Sequence, residues 1–205
     1  MYLRCDFSRF KSDPQRAYET LKKYQEFRKN DKALFARMRP NAMKHLFDSK
    51  VITKLPGNDV EGRPVILMNF KFWDVKLYSA EDLVLLTMMF LEELIRTQVS
   101  SVTVILDWEG YGLANFRQYT YRNIMRTLAL AKGSFPISFK GIHQINENRV
   151  FWLVSKVVFA FFSAKLKKRM QVHGTNRESL AAYIPFSSLP ADYGGWISHD
   201  TRCSR

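Results

Sequence analysis

The 205-residue sequence is poor in cysteine, with only Cys5 and Cys203, at opposite ends of the chain. Two thiols build neither a zinc site nor a disulfide framework, so both read as free thiols in a reducing compartment. With 9 Gly and 7 Pro, the composition is neither fibrous nor low-complexity. Long apolar runs are missing as well. The longest, Val150 to Phe162, is interrupted by Ser155 and Lys156, whereas a spanning helix needs about 20 apolar residues. The first residues, Met1 to Phe10, lack the apolar stretch of a secretory signal. The expected location is the cytoplasm. Acidic residues are scarce: 19 Asp plus Glu stand against 32 Lys plus Arg, a net charge of +13. That surplus points to an anionic partner, either nucleic acid or the acidic face of a membrane, with plain solubility as the alternative.

The usual catalytic signatures do not occur. There is no Gly-x-Ser-x-Gly elbow and no Walker A loop, and Gly110-Tyr111-Gly112 lacks the third glycine of a dinucleotide fingerprint. His45, His143, His173 and His199 are far apart in sequence, and each reads as a hydrogen-bonded structural residue. Glu92-Glu93 reads as a solvated helix face. No constellation supports an enzyme, and no metal or cofactor is expected.

What the sequence does contain is enough apolar residue (46%) beside 25% charge to build a core. Apolar positions Ala17, Leu21, Tyr24 and Phe27 repeat at helical spacing, with Asp13 and Pro14 as a helix start. A short helix follows around Asn41 to Phe47. Leu55 to Asp59 and Glu61 to Pro64 read as turns. Strands are expected at 65–69, 102–106, 140–145 and 170–172, and helices at 80–96, 116–131, 149–162 and 177–183. Strand and helix alternate, which predicts an α/β fold with a mostly parallel sheet. The expected division is a helical region over 1–48, an α/β domain over 49–197 and a short tail over 198–205.

The most informative stretch is Val150 to Arg169. It begins apolar nearly all round and ends in Lys165, Lys167, Lys168 and Arg169. Such a segment is either a core helix followed by a solvated basic turn, or an interfacial contact in which apolar groups insert and cations meet anionic headgroups. Asp107-Trp108-Glu109-Gly110, after the central strand, reads as a turn fixed by its carboxylate. Leu189-Pro190 through Gly194-Gly195 reads as the close of the fold.

Several motifs fall in one order along the chain. They are Leu3-Arg4 with the helix Arg16 to Arg28, Glu61-Gly62-Arg63-Pro64-Val65, Trp73-Asp74, Asp107-Trp108-Glu109-Gly110 and Ser134-Phe135-Pro136. Gly141-Ile142-His143, Ile145-Asn146, His173-Gly174-Thr175-Asn176, Leu189-Pro190 and Tyr193-Gly194-Gly195 complete the series. In that order the chain resembles the CRAL-TRIO lipid-binding family, and most its alpha-tocopherol transfer protein-like branch. The resemblance implies a CRAL-TRIO lipid-binding fold, in which a mostly parallel sheet floors an apolar pocket under a lid helix, here about Arg149 to Phe162. A partial N-terminal helical region precedes it.

The resemblance also implies an intracellular lipid-transfer protein without covalent chemistry. Its partners would be a hydrophobic small molecule (tocopherol, retinoid or other lipid) and the anionic phosphoinositide surface of a membrane. It would associate with that membrane peripherally and reversibly. No nucleic acid partner is expected, because the basic residues form no recognition motif. By the same resemblance the pocket would be lined by Leu106, Leu128, Phe135, Ile137, Ile142, Phe151, Val154, Val158 and Phe162. Phosphoinositide would meet Lys140, Lys165 and Arg169, with Ser138 where the branch carries a lysine. Phe159-Ala160 replaces the family's Lys-Pro, which predicts a more continuous lid helix. Both ends look shortened relative to the family. A cargo-free, membrane-docking regulatory or scaffold protein of the same fold is the alternative reading.

Overall fold

The computed structural model describes residues 14–131 and 135–197. Leu3-Arg4, Cys5, Asp13, Ser134, His199, Cys203 and the 198–205 tail lie outside them. The first described element is helix α1 (Pro14–Asn30), opened by a proline that suits the first helical position because its missing N–H has no intrahelical partner there. Helices α2 (Lys32–Ala36) and α3 (Lys44–Asp48) follow. Tyr24, Leu34, Met43 and Leu46 are buried, and they join one continuous core with the following α/β part.

Five strands form one sheet: β1 (Ile52–Asn58), β2 (Pro64–Asn69), β3 (Ser101–Asp107), β4 (Ser138–Ile145) and β5 (Met170–Val172). They lie in sequence order. β1 pairs antiparallel with β2, and the other pairings are parallel. The crossovers are helical. Helix α4 (Ala80–Arg96) joins β2 to β3, α5 (Leu113–Arg117) and α6 (Tyr121–Ala131) join β3 to β4, and α7 (Arg149–Val158) and α8 (Ala164–Lys167) join β4 to β5. Helix α9 (Arg177–Ala181) comes after β5. The fold is thus the expected α/β architecture with a mostly parallel sheet behind N-terminal helices.

Three local expectations need correction. Residues 55–58 belong to β1 rather than to a turn. An edge strand tolerates Pro56 because only one of its sides must hydrogen-bond, and the β1–β2 register is irregular between Lys54 and Asn58. Second, the helix expected over 116–131 is two helices. Thr120 caps the second, accepting the Asn123 N–H at 3.3 Å, and the Gln118 amide is drawn away to the Val75 carbonyl at 3.2 Å. Third, the helix expected over 149–162 is not more continuous for lacking proline. It ends at Val158, tightens into a 3₁₀ turn over Phe159–Phe161, and leaves Phe162 extended.

The sheet has two apolar faces, as side chains alternating along each strand require. Leu55, Val65, Leu67, Ile105 and Ile145 pack under the C-terminal residues Leu180, Ile184, Leu189 and Tyr193. The opposite face, bearing Ile66, Met68, Val104 and Leu106, meets α4, α6 and α7. Asp107 fixes the turn after β3. Its Oδ1 accepts from the Glu109 N–H (3.0 Å) and from Asn146 (2.7 Å), and its Oδ2 accepts from the Tyr193 hydroxyl (2.7 Å).

The N-terminal helices are held by polar clasps as well as by packing. Arg126, almost fully buried, grips the Asp31 carboxylate with two nitrogens and reaches Glu81 and Asn123 with a third. The Tyr24 hydroxyl donates to Glu92 at 2.5 Å, and Arg28 lies beside both. Glu92 is therefore a docking group for α1 and not a solvated face.

Candidate ligand cavity and its basic margin

An apolar cavity of about 210 Å³ lies between the second sheet face and the helices. Its floor is one set of alternating strand residues: Ile66 and Met68 of β2, Val104 and Leu106 of β3, Ile142 and Gln144 of β4, and Met170 of β5. Leu83, Val84, Thr87 and Leu91 of α4 form one wall, and Ile124, Thr127 and Leu130 of α6 another. The roof is α7 with the turn behind it, through Phe151, Val154, Ser155, Val158, Phe159 and Phe162. Phe70, Trp108, Tyr111, Phe116 and Tyr119 crowd one end.

No lining residue is charged. The small polar side chains in the lining are turned onto their own helices. Thr87 donates to the Leu83 carbonyl (2.8 Å), Thr127 to Asn123 (3.0 Å) and Ser155 to Trp152 (3.0 Å). A ligand would be held there chiefly by burial of its apolar surface.

Six of the nine residues expected in the lining come together here: Leu106, Ile142, Phe151, Val154, Val158 and Phe162. Leu128, Phe135 and Ile137 are buried but do not line the cavity. Phe135 packs edge-on against Tyr24 of α1, with ring centroids 5.0 Å apart. Ile137 precedes β4 and packs in the same core. Leu128 lies about 100° round α6 from Thr127, the centre of that wall.

The α4 and α6 walls, Trp108, Tyr111, Tyr119 and Gln144 escaped the reading of the sequence. For Gln144 a signal existed, because in a strand it must face the same side as Ile142.

The roof has a second face. Trp152 (53% exposed), Leu153 (47%) and Phe161 (43%) point to the outside, with Lys156 beside them. The expectation of a helix apolar all round is met by one face inside and one outside. The chain then passes into α8, whose N-cap Ser163 accepts the Leu166 N–H at 3.2 Å, and Lys165, Lys167 and Lys168 are exposed.

Arg169 is half-buried, its guanidinium donating to the Phe139 carbonyl at 2.7 Å. The Arg169 carbonyl in turn accepts the Ile142 N–H (2.9 Å). Lys140 is the extra residue of a β-bulge, since Phe139 pairs with Val102 and Gly141 with Thr103. A bulge re-aims its side chain, and Lys140 is exposed. Of the three expected headgroup cations, Lys140 and Arg169 therefore lie at the neighbouring starts of β4 and β5, and Lys165 lies in α8, the element before β5. Among the described residues no carboxylate pairs with Lys140, Lys165, Lys167 or Lys168.

On the opposite sheet face two histidines meet that are 30 residues apart in sequence. His143 Nδ1 lies 2.9 Å from His173 Nε2, and His173 Nδ1 lies 2.7 Å from the Ser179 hydroxyl. Burial, then the neighbouring His173, hold the His143 pKa down at about 4, and burial lowers His173 too. Both rings are neutral at pH 7 and serve as hydrogen-bonding structural groups.

A family model described as "CRAL/TRIO domain" matches residues 48–195. The chain is 28% identical over 188 residues to proteins named "Alpha-tocopherol transfer protein-like" from Mus musculus and Homo sapiens, covering 90% of this chain and 55% of each relative. It is 25% identical over 186 residues to "Clavesin-2" from Mus musculus, covering 88% and 57%. The chain thus spans little more than half the length of the relatives it matches. Among solved structures, that titled "Crystal structure of Sfh5" superposes with a TM-score of 0.58 at 14% identity, over 75% of this chain and 56% of that one. That likeness concerns the fold.

Proposed function

This chain belongs to the CRAL/TRIO domain family, and from that premise we propose that it is a lipid-transfer module. It takes one small hydrophobic molecule, a tocopherol, retinoid or other lipid, into the cavity under α7. It docks through the outer roof and its basic margin on phosphoinositide-containing membranes. The association is peripheral and reversible, from a cytoplasmic pool, and involves no covalent chemistry. None of the described helices is long and apolar enough to cross a membrane.

The observation that carries this reading is the roof itself. One short helix closes an uncharged cavity with Phe151, Val154 and Val158, and turns Trp152 and Leu153 outward next to a cluster of lysines. Those two faces support a reading in which one side of the element buries cargo and the other meets a bilayer. Lys140, Lys165 and Arg169 are the proposed phosphoinositide ligands, with Lys167 and Lys168 beside them. The names of the transfer protein-like relatives point the same way.

One observation favours a second reading, the cargo-free adaptor. A cavity of about 210 Å³ is smaller than the roughly 300–1,000 Å³ of most small-molecule pockets, and aromatic rings crowd it. Mass spectrometry of an organic extract of the purified protein, beside a mock purification, separates the two. A stoichiometric lipid supports transfer. An empty extract from folded protein refutes it in favour of the adaptor.

A further inference from the structure

The cavity is not uniformly apolar. At the end formed by the C-terminal ends of β3 and β4, three lining side chains carry hydrogen-bond donors that reach no described residue. The Gln144 Oε1 accepts from Trp108 Nε1 at 2.6 Å, which turns its amide nitrogen the other way, and that nitrogen has no partner. The hydroxyls of Tyr111 and Tyr119 have none either. Among the described residues, the side-chain polar atoms both sealed in protein and unpartnered are Glu147 Oε1 and Arg177 Nη1. The three donors are not among them, so each touches open space. Gln144 and Tyr111 are 1% and 3% exposed, so the open space beside them is the cavity they line.

Ring contacts place the three groups together. Trp108, bonded to Gln144, is 4.8 Å from Tyr111 between centroids, and Trp73 lies 6.0 Å from Tyr111 and 5.9 Å from Tyr119. Trp73 has its own partner, donating to the Tyr78 carbonyl at 2.8 Å. Burial raises the pKa of both phenols, that of Tyr119 to about 12, so both keep their protons as donors. A donor left without a protein partner at an apolar wall gains from an acceptor on a bound molecule.

We propose that Gln144, Tyr111 and Tyr119 form a head-group subsite that selects a cargo ending in a compact, neutral oxygen acceptor, such as an alcohol, ketone or aldehyde. The inference rests on the cargo-binding reading above. Donors alone would also suit a carboxylate or phosphate. No cation lines the cavity, however, and an ion buried there without a counter-charge is strongly disfavoured. A plain hydrocarbon fills the space but leaves the donors unmet.

The test uses two-ring probes, which suit a cavity somewhat larger than the ~150 Å³ one that takes benzene. Delipidated protein is titrated calorimetrically with 2-acetonaphthone, 2-naphthol, naphthalene and 2-naphthoate. The same titrations are made on Tyr111→Phe, Tyr119→Phe and the double variant, which keep the rings and their packing. The ratio of ketone to naphthalene affinity is expected to fall by about 5-fold for each hydroxyl removed, with naphthoate the weakest probe of the unaltered protein.

An unchanged ratio in the double variant, or naphthoate binding as tightly as the ketone, overturns the subsite while the cargo reading stands. If no probe binds, naphthalene included, the cargo reading falls and the subsite with it.

Discussion

The proposed docking surface invites a quantitative perturbation. Lys165, Lys167 and Lys168 are exposed beside the roof, and no described carboxylate neutralises them. A cation next to an anionic bilayer contributes about 1 kcal/mol. Replacing all three by Ala should therefore weaken partitioning onto phosphoinositide vesicles by on the order of 3 kcal/mol, about 150-fold.

Arg169 is left in place because its guanidinium holds the Phe139 carbonyl, and its loss would confuse docking with folding. The control removes the same charge elsewhere: Lys44 in α3, Lys54 in β1 and Lys76 in the loop after β2, all exposed. Lys54 stands on β1, the sheet edge opposite β5, four strand spacings or about 19 Å away. That exceeds two Debye lengths at physiological salt, about 16 Å.

Vesicle co-flotation with and without phosphatidylinositol bisphosphate, at two salt concentrations, reads the outcome. The lysine triple should lose most of its binding at low salt. A residual, salt-insensitive part should disappear with Trp152→Gln, which removes the outward ring. Equal losses in the control triple would show that the net charge of +13 drives binding and not this margin. No loss in the lysine triple would remove α8 from the interface.

Three other outcomes are expected. Ile142→Trp places a large ring in the cavity floor and should lower co-purified lipid without reducing vesicle flotation; unchanged lipid content would take Ile142 out of the site. Arg126→Met leaves the carboxylates of Asp31 and Glu81 without their buried partner and should cost about 3–5 kcal/mol in urea unfolding, whereas a loss below about 1 kcal/mol would make the clasp a surface pair. Stability should also fall on mild acidification. His143, facing Asp59, Arg63, His173 and the Tyr183 ring, has a native pKa of about 4 against about 6.5 unfolded, so the unfolded chain binds more protons between those values. Its contribution is complete above pH 6.5, down by about 2 kcal/mol at pH 5 and about 3 kcal/mol at pH 4. Asp59 is a separate, more acidic contribution: burial raises its pKa, but bonds from Thr103 and Arg63 outweigh that and lower it. Flat stability from pH 7 to 5, or no flattening in His143→Gln, would refute the histidine account.

The alternation of apolar strands with amphipathic helices was enough to read the α/β sheet, because parallel strands need helical crossovers. Edges and breaks were harder. Pro56-Gly57 looks like a turn unless one knows that β1 is an edge strand and that Gly57 lies against Ser188, whose side chain an added Cβ would overlap. The break between α5 and α6 carries neither Pro nor Gly and depends on side chains of Gln118 and Thr120 reaching other elements. Cavity residues on strands follow from alternation, whereas Phe135 and Ile137 precede β4, and Phe135 packs on Tyr24 and Phe27 of α1. His143 and His173 meet only because β4 and β5 pair in one register, His143 opposite Gln171. Nothing local in the sequence carries that register.

The two ends of the roof are anchored unequally, and this relates the cavity to its margin. At the start of α7, Asn148 accepts the Phe151 N–H (3.0 Å) and donates to the carbonyls of Trp108 (2.9 Å) and Tyr111 (2.8 Å). That end is thus tied to the loop bearing Tyr111, where the unpartnered donors lie. At the other end, Phe159 and Phe162 stack on each other at 5.6 Å, and Phe159 meets Phe151 at 6.1 Å. Among the described residues no side-chain hydrogen bond caps the 3₁₀ turn between them. Lifting the first end would break three hydrogen bonds and expose polar groups. Lifting the second would separate aromatic surfaces, and a bilayer can cover those as well as the protein does. The end that costs least to open is the end that leads into Lys165, Lys167 and Lys168. On the docking proposed above, contact with an acidic membrane would favour opening at this end, where a cargo tail could leave while its head stays at the far end.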